Sequence, residues 1–318
     1  MDQKKKLLSV VIPTYNEEAN VTAMTETLRN VFEKELPEYD YEIIYIDNHS
    51  KDGTRQILRK LCAKDSRVKA IFNAKNFGQM RSPVHGLKQA YGDAVIRLNV
   101  DFQDPPTLIP EFVHKWEEGN KIVIGIKNKT DEGKFIGFVR QRYYKLLRKI
   151  TDIGHIENFT GFGLYDNDFL NILRRLDDPT PFLRGIVAEY GYKRKDIKYC
   201  QAERRAGKTH NNWVSLFDGA MLSATSYTRV GVRLAVCAGF ALTCFNLLLA
   251  LAYIIVAICV PAAWNLWVIP ILIAIFLVGS VLMFFTGFVG EYVISVSKRV
   301  TNRPLVVEER RLNWEKKD

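Results

Sequence analysis

Charge is missing where a soluble chain would carry it. Residues 234–260 and 266–290 contain no Asp, Glu, Lys or Arg, and only Pro261-Ala262-Ala263-Trp264-Asn265 lies between them. A buried helical pair in a large soluble core would look similar. Two uncharged runs of this length side by side read instead as membrane helices, because about 20 apolar residues cross a bilayer and only a helix satisfies its own backbone there. Cysteine is also sparse: five in 318 residues, none in a C-x-x-C pair, with Cys237, Cys244 and Cys259 inside the first run. That argues against a disulfide framework or a cysteine zinc site and leaves ordinary buried thiols. The histidines, His49, His85, His114, His155 and His210, show no ligand spacing. No G-x-G-x-x-G or P-loop phosphate cradle occurs, and no zinc-finger or RNP pattern. Nucleic acid is therefore not expected as a partner, although the formal charge is +10. With two apolar runs in the chain, the basic excess points to anionic headgroups and phosphates. The basic N-terminus leads straight into Leu7–Pro13, which reads as a strand and not as the core of a secretion signal.

What is present divides the chain. Residues 1–212 read as a cytosolic α/β head, 213–233 as an interfacial connector, 234–290 as two transmembrane helices and 291–318 as a cytosolic tail. Arg229 and Arg233 precede the first run, Lys298, Arg299 and Arg303 follow the second, and the connecting loop carries neither Lys nor Arg. Positive charge stays on the cytoplasmic side, so head and both termini are expected there. Trp264 and Trp267 fall where an aromatic belt would lie on the far side. Residues 135–150 mix bulky apolar with basic side chains, and 213–227 lead into the first run. Each suits a helix in the headgroup layer or one packed on the head.

In the head, β-rich runs alternate with helical stretches. Strands are expected over Ser9–Thr14, Tyr41–Asp47, Val68–Asn73, Ala94–Val100 and Lys121–Lys127, and helices over roughly 17–35, 54–62, 78–90 and 107–116. Most strand runs are continuously apolar, as in a sheet covered on both faces, and the alternation predicts a largely parallel sheet. Asn16 is placed to cap the first helix. Ligands in such folds bind beyond the carboxyl ends of the strands. Three polar clusters fall there: Thr14-Tyr15-Asn16-Glu17, Asp47-Asn48-His49-Ser50 and Asp101-Phe102-Gln103-Asp104. On an extended chain Asp101 and Gln103 face the same way. Hard oxygen ligands at a strand end suit Mg2+ or Mn2+ holding a diphosphate; a plain strand-ending turn would use the same residues.

Taken in order, several segments resemble family 2 glycosyltransferases of the GT-A (Rossmann-like) fold. Val11-Ile12-Pro13-Thr14-Tyr15-Asn16-Glu17-Glu18 is similar to their opening motif, and Ile46–Thr54 to their nucleotide-binding segment. Asn76-Phe77-Gly78-Gln79, Asp101–Pro106, Glu203–Thr209 and Gly290-Glu291-Tyr292 with Asn302–Leu305 resemble elements of the polyprenyl-phosphate branch, which includes dolichol-phosphate mannose synthases and bactoprenol glucosyltransferases. The two-span tail looks like the bacterial group. The resemblance implies a multi-pass protein of the bacterial inner membrane. It would move one sugar, with UDP-glucose favoured, from a nucleotide sugar to undecaprenyl phosphate with inversion. By it, Pro13, Tyr15, Glu17 and Asp47 line the nucleotide pocket. Asp101 and Gln103 bind Mg2+ or Mn2+, Arg204 faces phosphate, and Lys127 and Arg140 hold the lipid phosphate. Asp101, Arg204 and Lys127 would then carry catalysis.

Three departures stand out. Asn48 and Asn99 occupy positions that are acidic in the family, and the Gly-Asp-Phe-Arg-Leu stretch reads Thr160-Gly161-Phe162-Gly163-Leu164. They motivate an alternative, a non-catalytic membrane scaffold that binds nucleotide or lipid phosphate. A processive synthase is disfavoured by the lack of a Gln-x-x-Arg-Trp element. The lipid-facing surface of a two-helix anchor leaves room for a homo-oligomer.

Overall fold

The computed structural model describes residues 5–128, 156, 158–202, 268–301 and 303–314, together with isolated positions between 241 and 255. It divides into two units, one built from the head and residues 302–318 and the other containing 213–301.

The head holds β1 (Leu7–Thr14), α1 (Glu18–Glu35), β2 (Asp40–Asp47), α2 (Thr54–Lys64), β3 (Val68–Asn73), α3 (Gly78–Gln89), β4 (Ala94–Arg97), α4 (Ile109–Glu117), β5 (Ile122–Lys127), β6 (Phe159–Asp166), α5 (Asn167–Arg175), α6 (Leu183–Glu189), β7 (Arg194–Tyr199) and β8 (Glu308–Leu312). One eight-stranded sheet runs β7-β5-β6-β4-β1-β2-β3-β8. The pairs β1–β2, β1–β4, β2–β3 and β5–β7 are parallel, while β4–β6, β5–β6 and β3–β8 are antiparallel. This mixed, mostly parallel α/β sheet is the expected class.

The unbroken apolar runs follow from burial on both faces. Leu8, Val10 and Ile12 of β1 pack with Val21, Met24 and Leu28 of α1, Leu58 of α2 and Phe112 of α4. Val11 points the other way, into a layer with Val84 and Leu87 of α3, Phe169 of α5 and Ile186 of α6. Each strand therefore supplies both cores, and neither face can be polar.

Local structure departs from expectation in three places. Asn16 does not cap α1. It takes the left-handed conformation at φ 56°, and its side-chain carbonyl accepts the Lys51 amide at 2.8 Å. β4 ends at Arg97 and not at Val100, because Asp104 Oδ2 captures the Asn99 amide at 3.1 Å and turns the chain. The segment expected as a tail contributes β8, an antiparallel edge strand beside β3.

That strand is held by charge. Glu308 bonds His85 of α3 and Arg311. Burial works against ionisation of Glu308, but these partners outweigh it and bring the carboxyl from 4.5 down to about 2. A lowered carboxylate contributes stability above its unfolded value and loses it as pH falls toward its folded value. Trp314 lies 4.9 Å from the Arg311 guanidinium and can report on the docking. Its fluorescence, taken as the difference from a Trp314→Phe protein, should change between pH 4.5 and about 2, and Glu308→Gln should bring the undocked signal to neutral pH. A Glu308→Gln protein with wild-type fluorescence would contradict this.

In the second unit, α7 (Val268–Val300) is a single helix of 33 residues, about 50 Å long. Its Ala274–Ile294 stretch is the one candidate among the described residues long and apolar enough to cross a membrane. Ile275, Phe276 and Leu277 are consecutive and 61%, 71% and 60% exposed. Successive residues point about 100° apart, so the helix is apolar around its circumference rather than along one stripe. Gly290 and Tyr292 lie within this helix and not beyond it. The first apolar run falls outside the described residues, except for helical positions such as Cys244, Leu248 and Leu251. Residues 135–150 and 213–227 fall outside them too.

Candidate active site

The loops after β1, β2 and β4 each contain a non-glycine residue in the left-handed region: Asn16 at 56°, His49 at 69° and Phe102 at 62°. Such backbone is uncommon and is kept only where surrounding bonds hold it. Here the first two loops hold one another. The Asn48 amide donates to the Thr14 carbonyl at 2.9 Å, the Asn16 amide to Ser50 Oγ at 2.8 Å and the Glu17 amide to Thr54 Oγ1 at 2.9 Å. Pro13 is the last residue but one of β1, in register with Ile46, and Tyr15 and Glu17 follow the strand, all three half-buried. Glu17 also accepts Asn20 Nδ2 at 2.7 Å. The expected nucleotide-pocket residues thus come together at one sheet end. Asp47 stands among them but has no accessible surface. Its carboxylate accepts Arg55 Nε at 2.6 Å and the Ser50 amide at 3.2 Å.

The asparagine at position 48 has a physical reason. Its Nδ2 donates to Asn76 Oδ1 at 2.8 Å, while its Oδ1 accepts the Phe77 amide at 2.9 Å and Asn73 Nδ2 at 3.2 Å. A carboxylate could accept but could not donate to Asn76. Asn48 thereby ties the Asn76-Phe77-Gly78 segment to the second loop.

The third loop carries the charged cluster. Asp101 and Gln103 do not lie on an extended strand as expected. Phe102 bends the chain, and Asp101 Oδ1 accepts the Gln103 amide at 3.2 Å. Asp104 is fully buried and accepts Tyr199 Oη at 2.7 Å as well as the Asn99 amide. Burial raises its carboxyl above the ordinary carboxylate range, opposed by Arg97, Tyr199, the Asn99 amide and Lys127. Lys127, at the end of β5, is lowered by burial and by Arg184 and Arg97, with Asp104 and Asp101 opposing. Arg97 ends an otherwise apolar strand, where it donates to the Thr160 carbonyl at 2.8 Å and to Asn99 Oδ1 at 3.2 Å. It occupies the space left by Gly161: a Cβ there would stand 2.6 Å from Arg97 Nη1. Three of the residues that depart from the family pattern, Asn99, Gly161 and Gly163, therefore lie beside one buried arginine.

Among the described residues no three His, Cys, Asp or Glu side chains form a metal cluster. Asp104 has no accessible surface and Asn99 Oδ1 is engaged by Arg97. The remaining hard oxygen donors of this loop are the Asp101 carboxylate, which already accepts the Gln103 amide, and the Gln103 amide oxygen. That set fits a Mg2+- or Mn2+-like ion that takes its remaining ligands from substrate phosphates and water, the usual habit of such ions.

Arg140 and Arg204 lie outside the described residues. Sequence reasoning gave no role to Arg97, Asp104, Tyr199, Arg184 or Arg55. Two signals were available: the lone arginine in Ala94-Val95-Ile96-Arg97, and an arginine in the first turn of α2, where the helix dipole disfavours a cation.

Comparison with known proteins places this geometry. Residues 9–191 match Glycosyl transferase family 2. The "Putative glycosyltransferase CsbB" of Bacillus subtilis is 32% identical over 309 residues, 95% of this chain and 91% of that protein. The "SfII prophage-derived bactoprenol glucosyl transferase" of Shigella flexneri is 30% identical over 298 residues, 93% and 96% of the two chains. Among solved structures, the mannosyltransferase PcManGT from Pyrobaculum calidifontis, in complex with GDP-Man and Mn2+, aligns over 94% of this chain and 88% of its own at 17% identity and a TM-score of 0.47. The family match covers more than half of the chain, and the relatives align with nearly all of it, so this protein belongs to glycosyl transferase family 2 and has its GT-A fold.

Proposed function

We propose that the protein transfers a single sugar, glucose from UDP-glucose as first choice, to undecaprenyl phosphate or a related polyprenyl phosphate, inverting the anomeric carbon. The observation that carries this reading is the reach of the similarity. Relatives named bactoprenol glucosyl transferase align over 93% of the chain, a stretch too long to leave out the apolar residues 234–290. In this reading 1–212 form a cytosolic head, 213–233 a connector at the membrane surface, and 234–290 a hairpin whose second helix is the apolar part of α7. Head and termini face the cytoplasm.

The chemistry asks little of a general base. A phosphomonoester has a second pKa of about 6, so the acceptor oxygen is already anionic near neutral pH. That oxygen attacks the anomeric carbon, the bond from the carbon to the diphosphate oxygen breaks, and the nucleoside diphosphate leaves with the electron pair. The difficulty is gathering anions, which needs fixed positive charge in a water-poor site. Lys127, with Arg97 and Arg184 close enough to influence it, supplies fixed charge at the end of β5. Arg140 and Arg204 are proposed to hold the lipid phosphate. A divalent ion on Asp101 and Gln103 would neutralise the departing diphosphate. Pro13, Tyr15, Glu17 and the loop organised by Asp47 would hold the nucleotide.

The test is a donor panel with full-length protein in detergent. Undecaprenyl phosphate and Mg2+ or Mn2+ are supplied with labelled UDP-glucose, UDP-galactose, UDP-N-acetylglucosamine or GDP-mannose. Label entering the organic phase from UDP-glucose is the expected result. Transfer from another donor would replace the sugar and keep the reaction class. Nucleotide binding with no transfer from any donor would overturn the reading in favour of a scaffold.

A further inference from the structure

β8 follows the apolar helix in the chain, yet its anchors on the head are unusually specific for an edge strand. Asn313, left-handed at φ 59°, donates from one amide group to the carbonyls of Cys62 at 2.6 Å, Val68 at 2.8 Å and Asp65 at 3.2 Å. Arg81 of α3 donates to the Pro304 carbonyl at 2.9 Å, and the Ala74 amide to the Val307 carbonyl at 3.0 Å. These bonds fix where Glu309 stands, and Glu309 meets Arg55 Nη1 at 2.9 Å.

Arg55 is shared by three strand ends. Its Nε donates to Asp47 Oδ2 at 2.6 Å at the end of β2, and its Nη2 to the Asn73 carbonyl at 2.7 Å at the end of β3. Its third contact is Glu309 on β8. The guanidinium lies over the Phe72 ring at 5.4 Å, so its plane is set as well as its bonds. It stands in the first turn of α2, where the helix dipole opposes a cation, so the acceptors hold it there. Asp47 in turn holds the Ser50 amide through both carboxylate oxygens. That bond closes the turn in which His49 is left-handed and from which Ser50 reaches back to Asn16.

We infer that Arg55 and Glu309 are positioning residues for the donor nucleotide, and that β8 is a latch completing the 47–54 loop of the binding site. The inference rests on the reading that this loop binds the nucleotide. A buried carboxylate stripped of its cation is costly, so the loop as placed depends on Arg55. Arg55 keeps two of its three acceptors without Glu309, so Glu309 acts as an adjustment and Arg55 as the support.

Three measurements on the full-length protein test this. With UDP as probe, Arg55→Met should raise Kd roughly tenfold and Glu309→Gln roughly two- to threefold. Donor KM should rise in parallel, while kcat at saturating donor and the KM for lipid phosphate change less, a split that general destabilisation would not give. Arg55→Lys should recover only part of the loss, since an ammonium cannot serve three acceptors in one plane. Hydrogen exchange gives a readout independent of nucleotide: amides in 47–54 should exchange faster in Glu309→Gln, with those of β1 unchanged. Wild-type exchange at 47–54 in both variants would overturn the latch and leave β8 as an edge cover. Faster exchange there with unaltered UDP affinity would overturn the nucleotide role instead and count against the reading of the loop. Because Glu309 is half exposed, its variant keeps the test available should Arg55→Met fail to fold.

Discussion

Replacing Asp101 by alanine is expected to lower sugar transfer roughly a thousandfold. A metal-held or otherwise neutralised diphosphate owes several kcal/mol of transition-state stabilisation to its positive partner, and each 1.36 kcal/mol is about tenfold in rate. Asp101 is the less deeply buried carboxylate of its loop, 5% exposed against 0% for Asp104, which is sealed by Tyr199 and the Asn99 amide. The alanine variant also removes the acceptor for the Gln103 amide, so Asp101→Asn is the necessary companion. It keeps an oxygen for that amide and loses the charge. Both should be inactive in a single-turnover transfer assay, and Mn2+ titration should show weakened cation dependence of nucleotide binding. An active asparagine variant would show that the turn matters and the charge does not, and the cation assignment would fall.

The second large effect concerns stability. Gly163 lies in β6 between β4 and β5, opposite Arg97 on one side and Ile124 on the other. A Cβ at this position would stand 2.5 Å from the Val123 carbonyl oxygen and 3.1 Å from Ile124 Cα. Both neighbours are backbone in the middle of the sheet and cannot turn aside as a side chain would. Gly163→Ala should therefore cost about 3 kcal/mol, the upper range for overpacking. In a domain of this size that lowers the apparent Tm by roughly 10 °C. Gly161→Ala meets the end of a long side chain, Arg97 Nη1, but carries backbone strain at φ 96°, and should cost less. A melting curve for Gly163→Ala superimposable on wild type would mean that β6 can move away from β5. The same collision stands against a longer side chain at 163, whose Cβ would meet the Val123 carbonyl before the chain could extend.

The first five strands and first four helices were legible because burial on both sheet faces writes itself as unbroken apolar runs between polar loops. The strands that were missed have physical reasons to be silent. β7 is Arg194-Lys195-Asp196-Ile197-Lys198-Tyr199 and β8 is Glu308-Glu309-Arg310-Arg311-Leu312. They are the two edges of the sheet, and edge strands carry charge that discourages pairing with other chains. Their sequences consequently look like surface loops. β6 escaped because Gly161 and Gly163 break any β-propensity signal, and those glycines make sense only once Arg97 and β5 are seen beside them. In the site, Asp101, Lys127 and the loop residues near Pro13 and Asp47 could be named from motif and strand end. Arg55 could not be named, and Asp104 could be placed in its cluster but not given its part, since their importance lies in partners far away in the chain: Glu309 for one and Tyr199 for the other.

The position of β8 also has a consequence in time. β3 emerges early in synthesis, but its outer edge stays unpaired until the apolar helix and the segment after it have been made. At ordinary translation rates of 5–20 residues per second, that interval is roughly ten to fifty seconds. During it the nascent head presents an open strand edge, the kind of surface that recruits wrong partners. The final ladder can form only after the apolar helix has left the ribosome. Where that helix goes, and how quickly, therefore sets when the catalytic head can finish folding.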